Sequence, residues 1–280
     1  MSRLPHKLSE NDFARYVEPH LSKAKRGFVC SIPLFKVFNY ILRKLYTGCQ
    51  WHMIPIDPHP DDPDKKELSQ DAVYYHFRKW SLDGSLESVF QQSIAVNRET
   101  LDLSVLNLDG SHTLAKKGGE EVAYQPRKKA KTTNIVALSD QSGCVLSCTE
   151  AVSGNHHDGY ELDANLKQML AQIKVHGLAV RGSYLNGDSA FDSRSVRKIC
   201  FNRGVVPNIK ANKRNQQKQR RGRKRLFDAV VYRLRAGAER VFSWVDVYRT
   251  LLVRFERRKD HWMGWHYLAF ALVNLRHRIH

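Results

Sequence analysis

The sequence predicts an α/β domain with a mixed sheet, preceded by a small all-helical domain. Up to about residue 100, apolar residues recur at helical spacing. From about residue 103 the chain changes to short runs rich in Leu, Val and Ile, bounded by turn residues. Further on, strand-like and helix-like segments alternate, as in a layered α/β fold. The expected domains are 1–100 and 101–280.

In the first of these, Ser9 with Asp12 resembles a capping box ahead of FARYVEPHL. Ser31 and Pro33 open a longer helix with Leu34, Val37, Phe38, Ile41, Leu42 and Leu45 on one face, and Gly48 is its C-cap. DPHPDDPDKK, rich in Pro and Asp, reads as a loop. Ser69 caps QDAVYYHFRKW, and Gly84 separates it from SLESVFQQSIAVNRETL. A helix, a turn and a short helix carrying Tyr74, Tyr75, His76, Arg78 and Lys79 fit a helix-turn-helix DNA reader. They fit also a bundle that only supports the second domain, and the basic and aromatic mixture tips the reading toward DNA.

In the second, LSVLNLDG is a strand ending in Asp-Gly, and TTNIVALSD and CVLSCTEAV flank the turn DQSG. A helix from Tyr160 to Val175 presents Leu162, Leu166, Met169, Leu170 and Ile173. The strand SYLNGD, the helix SRSVRKICFNRG and the strand VVPNI follow. Lys210 to Arg225 is so polar that it reads as a solvated loop. The remainder, YRLRAGAERVFSWVDVYRTLLVRFERR and HWMGWHYLAFALVNLRHRI, reads as helical, with Trp262 and Trp265 as packing residues.

The chain has 46 Lys and Arg against 28 Asp and Glu, a net charge of +18. Such an excess points to a polyanionic partner, nucleic acid first, with ribosomes or anionic lipid as plainer readings. No apolar run approaches the ~20 residues that span a bilayer, and MSRLPHKLSENDF shows no signal peptide. A cytoplasmic protein with reduced thiols is the expectation. The scattered Cys30, Cys49, Cys144, Cys148 and Cys200 lack the second pair that zinc spacing demands.

Three acids stand out for chemistry. Asp109 and Asp188 each end a buried-type strand, at the sheet edge where α/β folds place their sites. Glu239 sits among Val241, Phe242 and Trp244 on a helix, where a carboxylate asks for a partner. Oxygen ligands without His or Cys suit Mg²⁺ or Mn²⁺ rather than zinc. Two such ions would activate water or a 3′-hydroxyl and stabilise the leaving oxygen of a phosphodiester. Taken singly, each acid is also an ordinary turn or surface residue. Tyr232, Arg235 and Glu239, spaced by three and four residues, share a helix face and can contact phosphate.

The pattern Tyr-x-x-Arg-x-x-x-Glu in YRLRAGAE, followed by RVFSW, resembles the signature of bacterial insertion-sequence transposases of the DDE class. The closest group is the IS-four/IS-five superfamily, in its IS-five branch. LNLDGSH and LNGDSAFDS resemble the strands carrying that family's two Asp residues, with Asp192 as a further, non-catalytic acid. SGNHHDGYEL, LRKLYTGCQWHMIP and VYYHFRKWSLDG resemble other family segments, so the likeness runs from about residue 31 to the end. It implies an RNase H-like catalytic domain and Asp109, Asp188 and Glu239 as catalytic residues and ligands of two Mg²⁺ or Mn²⁺ ions. It also implies cleavage at terminal inverted repeats, transfer of the 3′-hydroxyl into target DNA, and a homodimer acting at the bacterial nucleoid. A repurposed DNA-binding protein and a metal-dependent nuclease are the alternatives. The signature Lys seven residues after the Glu is replaced by Asp246, almost two helical turns on and so on the face of Glu239, and Arg249 or a residue of the basic loop is a substitute. Other expected DNA contacts are Tyr232, Arg235, Arg78, Lys79 and the basic run Lys213, Arg214, Arg220, Arg221, Arg223, Lys224 and Arg225. Of the neighbours His156, His157 and Asp158, Asp158 is expected to start a helix.

Overall fold

Ser9 opens the first helix as its capping pattern requires: in a computed structural model its Oγ accepts from the Asp12 amide at 3.1 Å. The structure describes residues 4–23, 30–212 and 226–279. The basic run from Lys213 to Arg225 therefore lies outside the described residues. The chain divides into two compact units. One comprises Met1–Val96, Leu114–Glu120 and Trp244–His280, the other Asn97–Thr113 and Glu121–Ser243.

The first unit holds α1 (Glu10–Tyr16), α2 (Leu34–Thr47), β1 (Pro58–His59), β2 (Asp62–Lys66), α3 (Gln70–Leu82) and α4 (Ser85–Val96). Gly48 ends α2 at φ 69°, a left-handed cap that costs glycine least. The expected loop DPHPDDPDKK instead carries the β1–β2 hairpin, Pro58 opposite Lys66. Its base is tied down: the Glu67 amide donates to Asp57 O at 2.9 Å, and the buried Glu67 carboxylate accepts from Tyr40 Oη and Lys36 Nζ at 2.6 and 2.7 Å.

The C-terminal stretch is less helical than its sequence suggests. A 3-10 turn at Arg249–Leu251 and a short strand interrupt it before the last helix, Lys259–Leu275. The strand, Val253–Arg254, pairs parallel with Leu114 and Ala115. Arg254 is fully buried and donates to the carbonyls of Glu256 and Glu120, both at 2.8 Å. A continuing helix would use its own carbonyls internally and leave that guanidinium fewer acceptors.

The last helix is apolar around most of its circumference, so it needs partners on several sides. It finds them in α3 and α4. Trp265 stacks on Phe77 with centroids 3.9 Å apart, Phe270 meets Phe90 at 5.7 Å, and Asn274 Nδ2 donates to Ser93 Oγ at 3.0 Å. A single boundary near residue 100 therefore misses this arrangement, because the C-terminal helix joins the N-terminal helices.

The second unit is built on β3 (Val105–Ala115), β4 (Ala123–Gln125), β5 (Ala130–Ser139), β6 (Val145–Cys148), β7 (Val152–Ser153), β8 (Tyr184–Gly187) and β9 (Val206–Ile209). The order is β4-β5-β3-β8-β9, and β6 and β7 also pair with β5, antiparallel. β8 runs parallel to both β3 and β9. This mixed sheet with helices is an α/β fold. Gly143, at φ 84°, closes the β5–β6 turn, where Asp140 Oδ1 accepts from the Cys144 amide at 2.7 Å. α5 (Leu162–Val175) buries Leu162, Leu166, Met169, Leu170 and Ile173, and packs with α6 (Arg194–Asn202) beside the sheet. α7 (Ala229–Arg233) lies on β8 and β9, and α8 (Ala236–Val245) follows it. The strand and short helix after α8 continue the numbering as β10 (Val253–Arg254) and α9 (Lys259–Leu275).

Candidate active site

The last parallel pair between β3 and β8 is Leu108 opposite Gly187. Asp109 and Asp188 each follow directly, so the register brings the two acids to the same edge of the strand pair. Asp109 does not end its strand, however, because β3 runs on to Ala115. What ends there is full burial: Val105 to Leu108 are buried and Asp109 to Ser111 are half-buried. Asp188 is exposed and caps a 3-10 turn, accepting from the Ser189 amide. Asp192 is set apart, buried in an ion pair with Arg197 at 2.9 Å.

The expected single helix carrying Tyr232, Arg235 and Glu239 is broken. α7 ends at Arg233 and α8 begins at Ala236. Tighter bonds mark the break, Leu234 N to Val231 O and Arg235 N to Tyr232 O at 3.1 and 3.0 Å. The break delivers Arg235 to the acids. One guanidinium nitrogen donates to Asp109 Oδ1 at 3.0 Å, and the other reaches Glu239 Oε1 at 3.4 Å. Burial raises the Asp109 carboxyl above its usual range, and the Arg235 charge only partly opposes this. Burial also opposes the charge on Arg235, but Asp109, Tyr232 and Asp188 outweigh it. Tyr232 leans on Phe227, centroids 5.1 Å apart, and burial raises its hydroxyl so that it remains a donor at neutral pH.

Sequence reasoning missed two polar groupings here. Asn107, Asn186 and Asn208 stand opposite one another on three parallel strands and are all fully buried. The only cue was an Asn two residues before each Asp, in LNLD and LNGD. Gly237 fits over the end of this row, since a Cβ there would lie 3.2 Å from Asn107 Nδ2.

The second grouping surrounds Asp158, which starts no helix. It accepts from Asn134 Nδ2 at 2.9 Å and pairs with His112 Nε2 at 3.3 Å. Burial opposes its charge, but the bonds from His112 and Asn134 prevail and hold its carboxyl below the usual range. Its carboxylate lies where a Gly110 side chain would begin, 2.8 Å from an added Cβ. Gly110→Ala is therefore expected to cost about 1–3 kcal/mol. Urea unfolding checks this, and an unchanged midpoint would contradict the close fit.

Arg78, Lys79 and Arg249 belong to the first unit. Arg78 and Tyr75 are exposed on α3, but Lys79 is held by Asp83 at 2.9 Å and by Ser22. Tyr74 packs on Trp51, with centroids 5.0 Å apart. Arg249 is exposed in its 3-10 turn. α8 stops at Val245, so Asp246 lies beyond the helix and the seven-residue helical spacing from Glu239 does not apply. Among the described residues, no three His, Cys, Asp or Glu side chains gather closely enough to hold a metal ion, and no helix is long and apolar enough to cross a membrane.

A family model described as the transposase DDE domain matches residues 100–274. Among solved structures, the Mos1 transposase paired-end complex with the left transposon end is similar at 12% identity and a TM-score of 0.30, covering 89% of this chain and 79% of that one. The catalytic domain of Mos1 mariner transposase gives 12% and 0.30, over 66% and 88%. The Mos1 mariner paired end complex with Mn gives 13% and 0.30, over 89% and 79%. No curated protein matches the chain.

Proposed function

The chain belongs to the transposase DDE domain family, and from that premise we propose that Asp109, Asp188 and Glu239 are the acids of an active site that cuts the ends of an insertion sequence and joins the freed 3′-hydroxyl to target DNA. The observation that carries this reading is Arg235, held by Asp109 at 3.0 Å and by Glu239 at 3.4 Å, with Asp188 close enough to add to its charge stabilisation.

The donor set suits by its chemistry an oxygen-seeking dication, Mg²⁺ or Mn²⁺, in one or two sites, once its carboxylates, which do not gather closely enough in this structure, are drawn together. It comprises three carboxylates without sulfur or imidazole, and burial disfavours the charge of Asp109 until a cation compensates it. Arg235 plays that compensating part here. Such ions would supply an activated oxygen nucleophile and neutralise the charge on the leaving oxygen. Asp109, Asp188 and Glu239 are the residues that would hold them.

The chain's own contribution is to seize the phosphate. The Nε of Arg235 is buried and has no hydrogen-bond partner among the described residues. A guanidinium released from the carboxylates offers a phosphate two parallel donors. Tyr232, kept protonated, adds a hydroxyl donor beside it. The exposed Arg78 and Arg249, and the basic run from Lys213 to Arg225, are proposed to grip the DNA backbone, and the helical unit to read the ends. Lys79 is a poorer candidate because its ammonium is already occupied. A homodimer holding two ends, and membership of the IS-five branch, belong to the same proposal.

The test is the purified full chain with Mg²⁺ and duplex DNA carrying the terminal inverted repeats of its own element. Nicking at the repeat ends followed by joining, both abolished by a chelator, is the expected result. Binding without cutting would overturn the catalytic reading, and cutting without joining would overturn strand transfer.

A further inference from the structure

We propose that Asn107, Asn186 and Asn208 form a positioning device that fixes α7, and through it Tyr232 and Arg235, against the two Asp-bearing strands. Inner positions of parallel strands are ordinarily Val, Ile or Leu. Here three amides fill equivalent positions on β3, β8 and β9, with 1%, 0% and 1% exposure. Asn208 Nδ2 donates to Asn186 Oδ1 at 2.9 Å, and Asn186 Nδ2 reaches Asn107 Oδ1 at 3.4 Å.

The same groups leave the sheet for the helix. Asn186 Nδ2 donates to Val231 O at 2.9 Å. Asn208 clasps Asp228, donating to its carbonyl at 3.0 Å and accepting from its amide at 2.8 Å. Asp228 in turn caps α7 by accepting from the Val230 and Val231 amides.

α7 needs this tether. It has five residues, too few to hold helical form alone, and none of them is buried. With Val231 and Tyr232 only half-buried, apolar packing holds α7 weakly, and the amide bonds set its position. Tyr232 lies within α7, and Arg235 follows two residues after its end. Asn107 and Asn186 stand two residues before Asp109 and Asp188 on the same strands. One row of amides thus sets the acids and the phosphate-binding pair in a common frame. A displacement of about 1 Å in such a frame costs on the order of a hundredfold in rate.

This inference rests on the proposed active site, so its test has an arm independent of DNA chemistry. Asn186→Val and Asn186→Thr have nearly the same shape, but only threonine keeps a hydroxyl to donate. In the full chain, Asn186→Val is expected to speed amide exchange at residues 229–235 by about tenfold, the loss of one such bond. Asn186→Thr is expected to restore part of the protection. In single-turnover cleavage at saturating end DNA, Asn186→Val should lose at least tenfold in rate with half-saturation unchanged. If Asn186→Val does not fold, Asn208→Ala, which removes the bonds to Asn186 and Asp228, takes its place with the same expectations. Wild-type exchange in a folded variant would overturn the proposal. So would a rate loss no greater than the unfolded fraction seen by circular dichroism. A wild-type chain that cuts no DNA would refute the proposed function, while the exchange comparison would still decide this one.

Discussion

Asp109→Asn is expected to lower the rate of end cleavage by about three orders of magnitude while leaving binding of end DNA within a few-fold of the parent. The amide keeps the size of the side chain but removes an anionic ligand, and losing several kcal/mol of charge stabilisation at the reacting phosphate corresponds to roughly that factor. The same substitution is not expected to weaken the fold. Burial disfavours the charged form of Asp109, so the neutral amide removes a penalty as well as the 3.0 Å pair with Arg235. The melting temperature should stay level or rise, as happens where function holds an unfavourable charge in place. Single-turnover cleavage and a thermal melt on one preparation check both parts. Parent-like cleavage would remove Asp109 from the site.

The second large effect is on stability against acid. His266 is 2% exposed within α9, and burial, only partly opposed by its bond to Trp262 O at 3.0 Å, lowers its pKa from 6.5 to about 4. The folded state thus binds its proton less readily than the unfolded chain. The stability tied to the neutral ring is fully present above pH 6.5, and is lost as the pH falls from there to about 4. The full loss amounts to about 3 kcal/mol. His76 and His261, in the same unit, are shifted the same way by burial and add to the trend. Urea midpoints measured at pH 7 and pH 4.5 should therefore fall steeply in the parent. They should fall less in His266→Gln, which has no ring to protonate. Parallel pH dependences would show that His266 does not set the acid limit.

The sequence carried the alternation of elements because burial leaves a periodic trace. The inner face of α5 and the caps of α1 and α3 are set by local spacing and local hydrogen bonds. The acids were visible as strand-end residues, although β3 extends past Asp109: its pairing with β8 ends at Leu108, and its last residues, Leu114 and Ala115, pair with β10. The break at Arg235 was not visible. Nothing in YRLRAGAE forbids a continuous helix, and the ion pair with Asp109 that accompanies the break joins residues 126 positions apart. The asparagine row was hidden for a similar reason. Each Asn interrupts an apolar run and reads as a flaw in a strand until the register sets all three side by side. Asp158 looked like a helix cap because its partners, His112 and Asn134, are remote in sequence.

α9 bears on the order in which the protein is made. Its Trp262, Trp265 and Phe270 complete a core whose other side, Phe77, Trp80 and Phe90, is translated well over a hundred residues earlier. On the ribosome, that early apolar surface must wait unsatisfied until α9 emerges. The strands and helices between Asn97 and Ser243 are by then already outside the exit tunnel. Synthesis thus favours a sequence in which the acid-bearing sheet forms while the core of the helical unit is still incomplete. A message broken before α9 would yield the sheet without a finished helical unit.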